Sequence, residues 1–215
     1  MTITEVMASI YRRFEKSSDE PDTTSEDFIV RLDYVNRAIR QWENEMGMDW
    51  KELYRTLSGT LTSGVLTGPT IDALKSPSGF VRIGTDRYEY VRPERVEREV
   101  SLYPSKKIYT ITGAKEAKSI NVYPVVSDDF FLDYQKYATI YSTGEETGEI
   151  EMSNPEFIIQ FVCAQLYLDD ANNTQAGVEM QGATDAMNSM KLNNEKLPFW
   201  QEDNQGSNEG INFGQ

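Results

Sequence analysis

The sequence predicts a mainly α chain with a small antiparallel β insert: a helical bundle from N- and C-terminal helices, continued by an extended C-terminal segment. Three observations predict it. Apolar residues recur every three or four positions near both ends of the chain. Between 56 and 150 the texture changes to Thr, Ser, Gly and Val with alternating apolar positions, which is strand and turn chemistry. After Pro198 all periodicity stops. The expected organisation is therefore 1–55 as N-terminal bundle helices, 56–150 as the β-rich insert, 151–197 as C-terminal bundle helices, and 198–215 as a flexible segment.

The first helix is expected over 3–16, where Ile3, Val6, Met7, Ile10, Tyr11 and Phe14 make one stripe and Thr4 with Glu5 stands near the cap. The polar run 17–27 is a loop, and Thr24 or Ser25 caps a second helix from about 26 to 45. Its stripe is Phe28, Ile29, Leu32, Val35, Ile39 and Trp42, and Gly47 supplies the stop. A short helix capped by Asp49 follows over 49–55. In the middle region, 80–84 and 87–103 are expected strands, with "RPERVEREV" open to a helical turn instead. Residues 108–112 and 120–124 read as a hairpin around "GAKEAKS", and 130–142 as a further strand.

Residues 142–155 form a charged loop, after which Asn154 caps and Pro155 opens a helix. That helix is apolar on most faces, from Phe157 to Leu168, which marks it for deep burial. A last helix over 173–194 offers Val178, Met180, Ala183, Met187 and Met190. Phe199, Trp200, Ile211 and Phe213 lie beyond it, in an acidic, glycine-containing segment with no local core to join. Docking on a neighbouring chain is the favoured use for them, and packing back on their own domain the alternative. For Trp42 and Trp50 core packing is the favoured reading.

Composition narrows the function. The chain has 215 residues, of which 35 are acidic and 21 basic, for a net charge of −14. Broad gripping of nucleic acid needs a basic surface, so this balance argues against it, while a negative wall lets DNA slide past. The acidity is concentrated after residue 150, where ten acids meet two bases. Absence of histidine removes Ser-His-Asp and Cys-His catalysis and histidine-based zinc sites. Cys163, the single cysteine, lies in an apolar run and reads as a buried inert thiol. No phosphate-cradling glycine motif or calcium loop occurs, so no cofactor and no metal are expected. The N-terminus does not read as a signal peptide, and no apolar window is long enough to span a membrane.

Carboxylate pairs are the remaining acid–base candidates: Glu43 and Glu45, Asp128 and Asp129, Glu145 and Glu146, Asp169 and Asp170. A glycosidase needs two carboxylates facing each other across a sugar, and near neighbours on one element do not do so. A solvated surface is the favoured reading, with a carboxylate-dependent cell-wall glycosidase as the minor alternative.

An ordered series of motifs carries a family resemblance. "VNRAIRQWENEMGMDWKELY" resembles the opening helix and W-x-x-L turn of the head-to-tail adaptor proteins of tailed bacteriophages. "YTITGAKEAKSINVYPV" is similar to their hairpin, and "FFLDYQKYATIYS" to the strand bearing a tyrosine pair. "NPEFIIQFVCAQLYLDDAN" and "TQAGVEMQGATDAMNSMK" resemble the two closing helices. The series runs from about 26 to 197, while 56–105 has no close counterpart in the family beyond a loose resemblance of "SPSGFVRI" to its proline-containing strand entry.

The resemblance implies a non-enzymatic virion protein. It implies a ring, usually twelve-fold, below the portal protein, which closes the DNA-filled head and offers a platform to tail, nozzle or tail-fibre proteins. It places the protein in the virion neck, assembled in the host cytoplasm, with DNA passing through unbound and no membrane involved. Another neck or tail-completion protein is the alternative within this class. Adaptors of this kind are often monomeric before they meet the portal, so a monomer in isolation is expected. The expected subunit or portal interface comprises Arg37, Arg40 and Glu43 on the outer side of the second helix, together with Phe199, Trp200, Ile211 and Phe213.

Overall fold

A computed structural model of the chain describes residues 1–17, 22–67, 74–114, 118–145 and 147–195. The chain divides into two compact units, one of Met1–Met48 with the residues from Thr139 onward, the other of Asp49–Ala138.

The first unit is helical. Helix α1 spans Ile3–Phe14 and begins with a capping box, in which Thr2 accepts the Glu5 amide and the Glu5 carboxylate accepts the Thr2 amide. The cap thus falls on Thr2, ahead of the expected Thr4. Helix α2 spans Glu26–Glu43, capped by Ser25 Oγ on the Phe28 amide. It buries Phe28, Leu32, Val35, Ala38, Ile39 and Trp42. Ile29, expected in that stripe, is exposed instead. Helix α4 spans Glu156–Asp169 and α5 spans Asn173–Glu195.

Helix α4 packs against α1, α2 and α5 at once. That is why it carries apolar residues on most faces: Phe157, Ile158, Ile159, Val162, Cys163, Ala164 and Leu166 are all buried. Each such aliphatic or aromatic side chain contributes about 1.5–3 kcal/mol by leaving water. Asn154 Oδ1 accepts the Glu156 amide at the helix start. On α5 the seam is Ala176, Ala183, Ala186, Met187 and Met190, whereas Val178 is exposed, contrary to expectation. Gly182 lets the helices approach closely, since a Cβ there would lie 2.5 Å from Gln160 Oε1 on α4.

The second unit overturns the prediction of a mainly α bundle with a small antiparallel insert. It is a seven-stranded mixed sheet with its own hydrophobic core. Its strands are β1 (Tyr54–Thr60), β2 (Val65–Thr67), β3 (Leu74–Ile83), β4 (Asp86–Tyr90), β5 (Ile108–Thr112), β6 (Ser119–Tyr123) and β7 (Asp129–Lys136). A 3-10 helix over Lys51–Leu53 precedes β1, inside the 49–55 range expected for a short helix. The order is β1-β7-β3-β4-β5-β6-β2. Its two outermost strands are consecutive in the chain, joined by the turn at 61–64. A Cβ on Gly59 of β1 would lie 3.8 Å from Leu66 Cδ1 of β2, so the sheet curls into a nearly closed barrel.

Two features of the sequence conceal this sheet. The pair β4–β5 is parallel, and a parallel pair needs a long crossover. The crossover is helix α3, Pro93–Leu102, the segment whose sequence is open between strand and helical turn. Strand β7 also joins two partners, β1 and β3, that lie far from it in sequence. The β5–β6 hairpin pairs Ile108 with Tyr123 through Thr112 with Ser119. Inward residues alternate along β7, where Phe130, Leu132 and Tyr134 are buried while Phe131 and Asp133 face out.

Candidate functional site

The cluster on α2 follows from helix geometry. Arg37 and Arg40 sit on positions that Val35, Ala38, Ile39 and Trp42 leave facing solvent. Arg37 Nη2 lies 2.7 Å from Asp33 Oδ2, one turn back, and its guanidinium stands 5.2 Å from the Tyr34 ring. Both partners of the Arg37–Asp33 pair are more than half exposed, so it contributes about 0.3–0.5 kcal/mol and leaves Arg37 available to a partner. The Arg40 guanidinium makes no ion pair or hydrogen bond among the described residues. Glu43 differs from expectation: it is buried, at 6% exposure, on the inward side of the last turn. The positions of Phe199, Trp200, Ile211 and Phe213 lie outside the described residues.

Asn36, within the same "VNRAIR" stretch, has a role that its sequence did not reveal. Its amide nitrogen donates to the Tyr141 carbonyl at 2.8 Å, and its amide oxygen accepts the Tyr141 N–H at 3.0 Å. This two-bond clamp pins the chain at Tyr141 to α2. The Tyr141 hydroxyl donates to the Glu149 carbonyl. Burial, with Glu151, Glu145 and Glu149 adding repulsion, pushes that hydroxyl up to about 12.

A second polar assembly ties α1 to α4, α5 and α2. Arg13 Nε donates to Glu179 Oε1 at 3.0 Å and Arg13 Nη1 to Glu156 Oε1 at 2.7 Å. Glu179 is buried at 4% exposure, and its hydrogen bond is the main cause that raises Arg13 above the usual guanidinium range. Arg31, itself buried, pairs with Glu15 and lies 3.8 Å from the Tyr11 ring centroid. Cys163 is buried nearby in charge terms: desolvation, then Glu179, pushes its thiol up to about 12. A thiol held there carries almost no thiolate at pH 8, and the thiolate is the nucleophile. A maleimide or disulfide reagent at pH 8 should therefore label Cys163 at the rate of unfolding. Prompt stoichiometric labelling of the native protein would contradict this.

On the barrel, Phe80, Arg82, Arg87, Phe131, Asp133 and Thr56 line one outward hollow. Arg82 lies 4.7 Å from the Phe131 ring and Arg87 3.9 Å from the Phe80 ring. This patch was missed in the sequence. Its trace was the period-two placement of Phe80 with Arg82, and of Phe131 with Asp133, on strand positions that alternate with core residues.

The carboxylate pairs serve local structure. Asp128 Oδ1 accepts the Asp129 amide, and Asp129 Oδ1 accepts the Thr60 hydroxyl. Asp169 accepts the Tyr34 hydroxyl at 2.7 Å, which raises that phenol, and Glu145 accepts the Ser142 amide. Glu45 pairs with Lys191 across from α5. Glu146 lies outside the described residues. Among the described residues no group of three or more Cys, Asp and Glu could hold a metal ion. No described helix is long and apolar enough to cross a membrane.

The described surface thus presents exposed guanidiniums on α2 and aromatic–arginine stacks on the sheet. No curated protein matches the chain. The family model described as SU10 adaptor protein matches residues 1–206, nearly the whole chain. The chain therefore belongs to the SU10 adaptor protein family, a family of phage head-to-tail adaptors, and is a structural protein of the virion neck.

Proposed function

We propose that copies of this chain form a ring below the portal protein, closing the DNA-filled head and giving the tail proteins their platform. Twelve copies in host-cytoplasmic assembly is the arrangement that fits such a ring. The observation that carries the proposal is the family match over 1–206. The net charge of −14 supports it, because repeated copies would surround passing DNA with like charge and let it move without sticking. The exposed Arg37 and Arg40 on α2 offer donors for carboxylates of a neighbouring subunit or the portal.

Purified protein should run as a monomer in light scattering and add to isolated portal particles as a ring visible by electron microscopy. Deleting residues 199–215 should weaken that addition at least tenfold. An unchanged affinity would remove the C-terminal segment from the interface. A protein that ignores portal particles but caps tail components would instead be a different neck protein.

A further inference from the structure

We infer that the outer face of β1, β7, β3 and β4 is a docking site for the C-terminal segment, residues 199–215, of a neighbouring copy. The inference draws on the adaptor reading only for the presence of neighbouring copies.

The argument begins with strand register. Arg82 on β3 stands directly opposite Arg87 on β4, and opposite Phe131 on β7 on its other side. Like charges directly opposite on adjacent strands repel and weaken the pair. A chain with 35 acids and 21 bases has ample carboxylates to relieve this. Yet neither guanidinium makes an ion pair or hydrogen bond among the described residues, only the stacks on Phe131 and Phe80. The carboxylate in the hollow, Asp133, accepts the Thr56 hydroxyl at 2.5 Å instead.

Stacking leaves the in-plane donors of each guanidinium open to carboxylates. Phe131 is 38% exposed, and the hollow of about 360 Å³ is at the small end of ligand clefts, suited to one aromatic side chain. The site thus calls for an aromatic group followed closely by two negative charges. The C-terminal segment has that order: Phe199 and Trp200, then Glu202 and Asp203, with Glu209 further on and no basic residue after Lys196. Seventeen residues reach about 55 Å when extended. DNA is the poorer occupant. Two arginines neutralise too few phosphates, and Asp133 and Glu89 border the face.

The test uses a fluorescein-labelled peptide of residues 198–215 and, as receptor, the full chain carrying F199A/W200A so that its own segment does not compete. Binding should saturate with a Kd below about 1 mM, which suffices because a tethered segment in a ring acts at millimolar effective concentration. R82E/R87E in the receptor should weaken it at least tenfold. A peptide carrying E202K/D203K should bind the reversed receptor and not the original one. Absence of saturable binding, or binding indifferent to both reversals, overturns the inference. So does a duplex DNA that binds with an affinity lost on R82E/R87E while the peptide does not. A photo-crosslinker at position 200 in rings of mixed isotopic copies should join two chains at 80–87 or 131–133; exclusively intrachain products overturn the neighbour. The peptide result needs no ring, so it stands apart from failure of the portal experiment.

Discussion

Replacing Trp42 with Ala should lower the unfolding free energy of the helical unit by about 3–5 kcal/mol, the cost of deleting a large aromatic side chain from a packed core. Trp42 is 1% exposed and is among the largest fully buried side chains. It closes the inward row of α2 formed by Phe28, Leu32, Val35 and Ile39. Domains of this size hold about 5–15 kcal/mol in total, so the loss removes a large part of it. The barrel has a separate core around Val81, Phe130 and Leu132. Urea unfolding followed by far-UV circular dichroism should show the helical transition moving to lower denaturant with its slope preserved. A shift worth less than about 1 kcal/mol would mean that the site collapses around the cavity or that Trp42 is not packed as described.

The second large effect is expected from Arg13→Met. Methionine keeps much of the apolar stem that Arg13 lays on the unit, so the change isolates the charge. Glu179 would lose the donor held 3.0 Å away and remain at 4% exposure with no cation. Breaking a buried pair on one side costs about 3–5 kcal/mol, and the partial exposure of Arg13 places this case towards the lower value. A double change separates charge from packing. Arg13→Met combined with Glu179→Gln leaves no uncompensated buried charge, so it should recover most of the stability lost in Arg13→Met alone. A double variant no more stable than Arg13→Met would assign the effect to packing alone. Glu179→Gln as a partner change should be milder, since Arg13 keeps Glu156 and solvent.

The helical elements were legible because their evidence is local. Period and caps placed α1, α2, α4 and α5 to within a few residues, and the all-round apolarity of α4 anticipated its deep burial. The motif series led to the right family. What failed locally were residues whose role depends on another element. Ile29 and Val178 fit their stripes by spacing, yet they are exposed, because among the described residues no neighbour covers those positions. Glu43 has the chemistry of a surface residue but occupies an inward position of the last turn. Asn36 looked like any polar helical residue until Tyr141, 105 positions later, came to lie against it.

By itself the sequence determined helices α1, α2, α4 and α5, the hairpin, the absence of histidine chemistry, the negative charge and the family, all of which depend on residue type and short-range order. Only the tertiary structure decided that 49–138 is a nearly closed barrel rather than a small insert. It alone also put Arg82 beside Arg87 and Phe131. The reason is that strand partners are chosen by long-range pairing. β7 reaches back to β1 and β3, β2 to β6, and β4 meets β5 in parallel through α3. No period in a single strand records which partner it will take, so the docking face that these pairings create exists in space and not in any contiguous run of residues.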